Sequence, residues 1–172
     1  MMGHKHKGFS LIELMVVLMI LSVVLVAGLP SYAAVRLNND LRNFANDLVT
    51  AVVFARSESI KRNAEITFCA SADGATCVAS GDWEQGWVIL DPDDNVLQTG
   101  SALDSGYRLV AEELGSATVI TEIVFDPSGV ISPAADFVLC RQSPASEQER
   151  EITLTPSGRT AVDTTYDKDC PA

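Results

Sequence analysis

Gly8-Phe9-Ser10-Leu11-Ile12-Glu13-Leu14 is the stretch of sequence on which the fold prediction depends. It opens an apolar run that continues to Leu29 and is interrupted after Leu14 only by one serine and one glycine. At about 1.5 Å per residue, a helix over 9–29 would be roughly 30 Å long, which is the thickness of the hydrocarbon layer of a membrane. This segment therefore predicts a transmembrane helix.

The expected cleavage site lies before the apolar run. An ordinary secretory signal is cut after its apolar region, next to small residues, and no such site clearly follows this one. The junction between Gly8 and Phe9 is the small-residue site with a basic flank. We therefore expect residues 1–8 to be a leader peptide and the helix over 9–29 to remain in the mature protein.

Glu13 is the acidic residue within this apolar segment. A carboxylate at the centre of a membrane helix costs about 2.5–3.5 kcal/mol on insertion scales, and less near the interface. One interpretation places Glu13 at headgroup depth, where it is tolerated. The other pairs it with the α-amino group that cleavage would create on Phe9 of an adjacent chain, where low dielectric strengthens the attraction.

The stretch from Gly8 to Leu14 resembles the processing motif of type IV prepilins and type II secretion pseudopilins. The resemblance implies that prepilin peptidase cuts after Gly8 and N-methylates Phe9, and that Glu13 contacts the N-terminus of the next subunit during filament assembly. Pro30 matches the helix-kinking proline of many such subunits. The implied location is the bacterial inner membrane, as a single-pass protein with a periplasmic domain, and later a pilus or pseudopilus built with other pilins.

Residues 30–63 predict an amphipathic continuation of the helix. Pro30 should bend or locally open the helix, because proline lacks a backbone donor and clashes with the preceding turn. Apolar residues then recur at alternating intervals of four and three, which places them on one face. They are Leu37, Leu41, Phe44, Leu48, Ala51 and Ala55. Lys61, Arg62 and Asn63 mark the helix end.

Residues 64–172 predict a β-rich globular domain, because the apolar period changes from 3.6 to 2. Short turns and no intervening helices favour antiparallel pairing. The fold class is therefore α+β. The resemblance implies a long N-terminal helix with a transmembrane first half, packed on an antiparallel β-sheet domain of type IV pilin-like form. The expected strands are Glu65–Cys69, Trp87–Asp91, Tyr107–Ala111, Val119–Phe125, Asp136–Arg141 and Glu151–Thr155.

The four cysteines are Cys69, Cys77, Cys140 and Cys170. An even number behind an export-type N-terminus favours disulfides in an oxidising compartment, and four cysteines allow three pairings. We expect Cys69–Cys77 and Cys140–Cys170, because closing a loop costs least between near neighbours.

The globular half resembles a narrower group, the FimT/FimU/GspH-type minor pilins and pseudopilins. The likeness rests on the Cys69–Cys77 loop, the segment from Gly81 to Trp87 and the late turn Ser157-Gly158-Arg159. DNA-uptake members of the FimT group carry Gly-Arg-x-Arg near the C-terminus, whereas here Ala161 replaces the second arginine. Arg159 is therefore interpreted as a turn residue first and as a DNA contact second. Trp83 and Trp87 are interpreted as cover for one edge of the core, ahead of ligand stacking.

Composition argues against enzymatic and metal-binding roles. Both histidines precede Phe9, so the mature chain has none to act as a general base, and no C-x-x-C pair indicates zinc. Asp91-x-Asp93-x-Asn95 echoes half of a calcium loop, but Val96 replaces the required glycine. We expect no cofactor, no metal and no catalytic site.

The charge disfavours nucleic acid as a partner. Loss of Lys5 and Lys7 with the leader would lower the net charge from −11 to −13, and DNA affinity depends on basic residues. Three functions remain, in this order: a minor type IV pilin that initiates or caps a pilus, a GspH-like pseudopilin of a type II secretion system, and a DNA-binding pilin.

Overall fold

The computed structural model describes residues 9–80, 83–142, 148–165 and 170, without the side chains of 26–31, 33, 34 and 165. The chain divides after Asn39 into two compact units. One helix, α1, runs from Leu11 to Arg62 and is followed by a short 3₁₀ helix over Trp83–Gln85. The strands are β1 (Ile66–Ala70), β2 (Trp87–Leu90), β3 (Val96–Gly100), β4 (Tyr107–Glu113), β5 (Glu122–Phe125), β6 (Ile131–Ser132), β7 (Ala135–Arg141), β8 (Glu149–Leu154) and β9 (Thr160–Thr165).

The described strands form two antiparallel sheets in the second unit. Sheet A has the order β3-β2-β1-β5-β6, and sheet B has the order β4-β7-β8-β9. Every strand pair is antiparallel, which confirms the predicted pairing. The α+β class is confirmed, although the strands divide into two sheets where the sequence suggested one.

The segment before β5 explains the division into two sheets. The sequence predicted one strand over Val119–Phe125, but the structure divides this segment. Its first part lies along sheet B, where Ile120 N donates to Ala111 O at 2.9 Å and Val119 bridges to Glu112. The next residue, Thr121, accepts a bond from Ala70 N at 2.9 Å and so reaches sheet A. A period-2 pattern cannot reveal that a strand changes partners partway along.

Helix α1 ends where the sequence predicted. Asn63 has a φ of 51°, and Ala64 N donates to Ser59 O at 3.2 Å, a bond typical of a Schellman cap. Glu58 binds Lys61 at 3.0 Å and Arg62 at 2.5 Å. The hydrogen bonds from Arg62 and then Lys61 hold the pKa of Glu58 below its ordinary value. The last turn of the helix is thereby closed by both backbone and side-chain contacts.

The predicted apolar stripe of α1 faces the core of the second unit. Leu41, Leu48, Ala51 and Ala55 are buried, and Phe44 is half-buried. Phe44 contacts Tyr107 of β4 edge to face, with ring centroids 5.1 Å apart. Tyr107 also donates its hydroxyl to Asp40 at 3.1 Å. These contacts fix the second half of α1 to sheet B.

Three strands were not predicted, namely β3, β6 and β9. All three are outer strands of their sheets, and β6 has only two residues. In β9 the residues from Ala161 to Thr164 are exposed. An edge strand buries little of its surface and so carries a weak apolar alternation, which is the signal that sequence reasoning uses.

Candidate functional site

The N-terminal segment exposes apolar side chains on all its faces. From Phe9 to Leu25 every residue is exposed, and the large apolar side chains are between 48% and 79% accessible. The first helical bond runs from Leu14 N to Ser10 O at 3.1 Å. Glu13 lies in the first turn, where the helix dipole favours a negative charge. A helix that is apolar all round requires a covering of lipid or protein.

Within the described part of the chain, no helix is both long enough and apolar enough to cross a membrane.

The structure does not test the expectations for two residues of the predicted processing and assembly segment, Gly8 and Pro30. Gly8, the residue before the expected cut, lies outside the described residues. Pro30 lies inside α1, which is assigned as helix without interruption from Leu11 to Arg62. A bend at Pro30 stays a prediction.

Both predicted disulfides are confirmed. Cys69–Cys77 joins residues with Cα atoms 5.5 Å apart, and Cys140–Cys170 joins residues with Cα atoms 5.7 Å apart. The first bond closes the loop after β1. Inside this loop Asp73 accepts bonds from Ala75 N at 2.8 Å and Thr76 N at 2.9 Å. These two bonds are the main cause of the strongly lowered pKa of Asp73.

The Cys69–Cys77 loop also covers the outer face of sheet A. Cys69 is completely buried, and it packs with Val88 and Leu90 beneath half-buried Cys77. Strand β2 is therefore buried on both faces. The disulfide supplies apolar cover on the face of the sheet that the helix does not reach.

Trp83 joins the two sheets in the core. Its ring contacts Phe68 of sheet A at 4.9 Å and Phe137 of sheet B at 5.0 Å between centroids. Its indole N–H donates to Ile120 O at 2.8 Å. Trp83 is 1% exposed and Trp87 is 8% exposed. This burial confirms that both tryptophans belong to the core.

Two turns with the same Pro-Ser-Gly sequence meet beside α1. The turn 127–129 joins β5 to β6 and the turn 156–158 joins β8 to β9. Ile131 N donates to Pro156 O at 3.0 Å, which links the two sheets at this point. A Pro-Ser-Gly triplet is typical of a turn, but it does not indicate that the two turns touch.

Gly129 and Gly158 leave room for the side chain of Arg56 on α1. Both have positive φ, of 80° and 69°. A β-carbon on Gly158 would lie 2.7 Å from Gly129 O and 3.0 Å from Arg56 Cδ. A β-carbon on Gly129 would lie 2.8 Å from Ile60 Cδ1 and 3.1 Å from Arg56 Nε. The repeated Pro-Ser-Gly triplet was the signal that could have indicated this shared contact.

Arg159 follows directly after this contact and is exposed. Its carbonyl accepts a bond from Thr155 N at 3.0 Å, which closes the turn. The role of its side chain stays a prediction.

The acidic turn after β2 is organised by its own residues. Asp91 Oδ1 accepts from Asp93 N at 3.0 Å and from Asn95 N at 2.9 Å. The bonds from Asn95 are the main cause of the lowered pKa of Asp91. The carboxylate of Asp91 therefore caps a turn.

A long N-terminal helix packed on antiparallel sheets defines the class of type IV pilin-like proteins. The profile of the family described as "Type II transport protein GspH" matches residues 45–158, and that of the prokaryotic N-terminal methylation motif matches residues 3–29. The chain therefore belongs to the GspH family and is a minor pilin or pseudopilin of a type IV pilus or type II secretion system.

Individual relatives agree with this assignment. The pilin-like protein PilA1 of Thermus thermophilus is 28% identical over 158 residues, covering 92% of this chain and 99% of that protein. The type IV minor pilin FimU of Pseudomonas aeruginosa is similar in structure, with a TM-score of 0.57 and 20% identity over 73% of this chain and 90% of FimU. The minor pseudopilin EpsH of Vibrio cholerae has a TM-score of 0.54 and 12% identity over 76% of this chain and 98% of EpsH. The two solved structures support the fold.

Proposed function

We propose that the chain is a minor type IV pilin, a structural subunit that helps to initiate or cap a pilus. The observation that carries this proposal is the exposed apolar helix from Phe9 to Leu25, joined to a compact acidic domain. Such a helix has to be covered, first by lipid and then by the same segments of other subunits. The similarity to a pilin-like protein and to a minor pilin favours a pilus.

In this proposal the chain begins as an inner-membrane precursor with its domain in the periplasm. Prepilin peptidase cuts between Gly8 and Phe9 and methylates the new amino group on Phe9. The segment 9–29 spans the membrane, and the hydroxyl of Ser22 is compatible with lipid because it donates to Met19 O at 2.8 Å. The match to the N-terminal methylation motif supports this processing.

Mass spectrometry of the protein from its native membrane tests the processing. The expected mature chain lacks residues 1–8 and carries one methyl group on Phe9. A native protein trimmed near residue 30, and so without the apolar helix, would contradict the proposal.

Glu13 has the second role in this proposal, as the partner of the N-terminal amine of a neighbouring subunit. Replacing Glu13 with valine should leave the protein in the membrane but reduce its incorporation into filaments. Glu65→Val is the matched control, because Glu65 is also exposed but lies beyond the helix. Normal incorporation of Glu13→Val, measured by immunoblot of sheared filaments, would contradict the charge pairing.

The second candidate is a GspH-like pseudopilin of a type II secretion system. The family profile that matches most of the domain carries that description, and EpsH shares the fold. Affinity purification of the chain from its native host distinguishes the two functions. Co-purification with pilus subunits supports the first candidate, and co-purification with secretion-system subunits supports the second.

We assign the chain no enzymatic role, because the mature chain has no histidine base and pilins act as structural subunits. DNA uptake is the last candidate, supported only by exposed Arg159 and opposed by the net negative charge. A gel-shift titration at moderate salt should show no tight complex. Tight binding that Arg159→Ala abolished would reverse this order.

A further inference from the structure

A cleft of about 340 Å³ lies between α1 and the segment 98–103 at the end of β3. Phe44 and Asp47 line it from the helix, and Gln98 and Gly100 line it from the strand. Trp83 and Trp87, the two tryptophans of the chain, form part of its floor. A volume of this size lies at the lower end of the range for ligand sites, roughly 300–1,000 Å³.

The sequence of β3 explains why the cleft is open and has a polar side chain on its strand side. Gly100 lies opposite Trp87, and a β-carbon on Gly100 would be 2.0 Å from the indole ring. Gln98 lies opposite Ile89, which is completely buried. Because directly opposed residues share a face of the sheet, β3 presents an amide and a glycine where its neighbour presents core residues. The helix therefore does not close over this edge of sheet A.

The carboxylate and the amide of the cleft have no side-chain partners among the described residues. Asp47 is the charged side chain among the lining residues. Neither Asp47 nor Gln98 has a side-chain hydrogen bond or ion pair within the part of the chain that the structure describes. Asp40, two turns earlier on α1, accepts the Tyr107 hydroxyl at 3.1 Å. The hydroxyl-bearing residues Thr50 and Ser101 also line the cleft, and the Thr50 hydroxyl donates to Asn46 O at 2.8 Å.

We infer that this cleft binds the guanidinium or ammonium group of a basic side chain on a neighbouring filament subunit, an inference that rests on the proposed function. The carboxylate of Asp47 supplies the opposite charge, and the rings of Phe44 and Trp87 supply aromatic surfaces that suit an organic cation. The net charge of −11 favours the approach of a cation. The lining residues include the carboxylate of Asp47 but no lysine or arginine, so an anionic ligand is disfavoured.

Tryptophan fluorescence tests the binding directly, since both tryptophans border the cleft. The mature full chain in nonionic detergent is titrated with Nα-acetyl-arginine amide and with Nα-acetyl-citrulline amide, which has a similar shape without the charge. We expect a saturable change with the arginine probe, and binding weakened by about tenfold or more with citrulline or in Asp47→Asn. Asp93→Asn, the same charge change on an exposed turn, should bind as the original chain does.

Equal curves for the two probes, or an unchanged arginine affinity in Asp47→Asn, would overturn the inference. Neither result would affect leader removal or methylation, so failure of the cleft is distinguishable from failure of the proposed function. The source of the cation is tested in assembled filaments. Asp47→Asn should be incorporated less than Asp93→Asn, and equal incorporation would refute a neighbouring subunit as the source.

Discussion

Replacing Gly158 with alanine should destabilise the globular domain more than the same change at Gly115. The two glycines share a left-handed backbone, with φ of 69° and 80°. They differ in their surroundings, because a β-carbon on Gly158 would lie 2.7 Å from Gly129 O, whereas one on Gly115 would meet no atom within 4 Å. Gly115→Ala therefore measures the backbone cost alone.

The expected magnitudes follow from these two contributions. A left-handed conformation costs an L-residue roughly 1–2 kcal/mol relative to glycine. Overpacking a filled site adds typically about 1–3 kcal/mol. We expect a loss of about 1–2 kcal/mol for Gly115→Ala and about 2–5 kcal/mol for Gly158→Ala. The contact is costly to relieve because Gly129 O belongs to the backbone of a turn whose neighbour, Ile131, is bonded to Pro156.

Denaturant unfolding of the mature chain in nonionic detergent, followed by emission of the buried Trp83, measures the free energy of unfolding. Equal losses for the two variants would refute the steric argument. Arg56→Ala combined with Gly158→Ala separates the two parts of the contact, because it removes the side chain but leaves Gly129 O. The double variant should lose less stability than the sum of the two single changes. Simple additivity would show that Arg56 does not fill the site.

Three further predictions follow from the fold. In the chain-entropy account, removing Cys140–Cys170, with a sequence separation of 30, should cost about 3.6 kcal/mol, and removing Cys69–Cys77, with a separation of 8, about 2.5 kcal/mol. The same unfolding assay on the paired Cys→Ser variants checks the order. Four carboxyl groups have lowered pKa values in the folded state: Glu58, Asp73, Asp91 and Asp126. Because the unfolded chain therefore takes up protons at a higher pH than the folded chain, the free energy of unfolding should fall as the pH drops below about 4.5. Constant urea midpoints between pH 7 and pH 3 would contradict this. Gly100→Ala should displace the indole of Trp87 and alter the near-UV circular dichroism of the domain, whereas an unchanged spectrum would show that the strand edge adapts.

The sequence predicted the features that depend on local pattern. The end of α1 at Arg62 was signalled by two basic residues and an asparagine, and the structure places Asn63 in the left-handed region. Cysteine spacing and loop closure were sufficient to predict both disulfides. The strand expected over Glu65–Cys69 is present as β1, where Ile66 and Phe68 lie two residues apart and are both completely buried.

Other features depend on contacts between residues far apart in the chain. The strand predicted over Val119–Phe125 pairs first with sheet B and then with sheet A, and its alternation is the same in both places. The cleft beside Asp47 depends on a glycine opposite a tryptophan that lies 13 residues earlier. A periodic pattern reports which residues are buried but not which segment covers them, so neither feature could be predicted from the sequence.

The late turn shows how packing and binding divide between adjacent residues. Gly158 is required by a positive φ and by the close approach of Gly129 O, so its presence is explained by the meeting of the two sheets beside Arg56. Arg159 and Ala161 are both exposed. Ala161 occupies the position at which DNA-uptake members of the FimT group carry a second arginine. Because Ala161 lies exposed on an edge strand, an arginine there would displace no core residue. The fold therefore requires the glycine of this motif but does not dictate the residues that would contact DNA, and the absence of the second arginine bears on function alone.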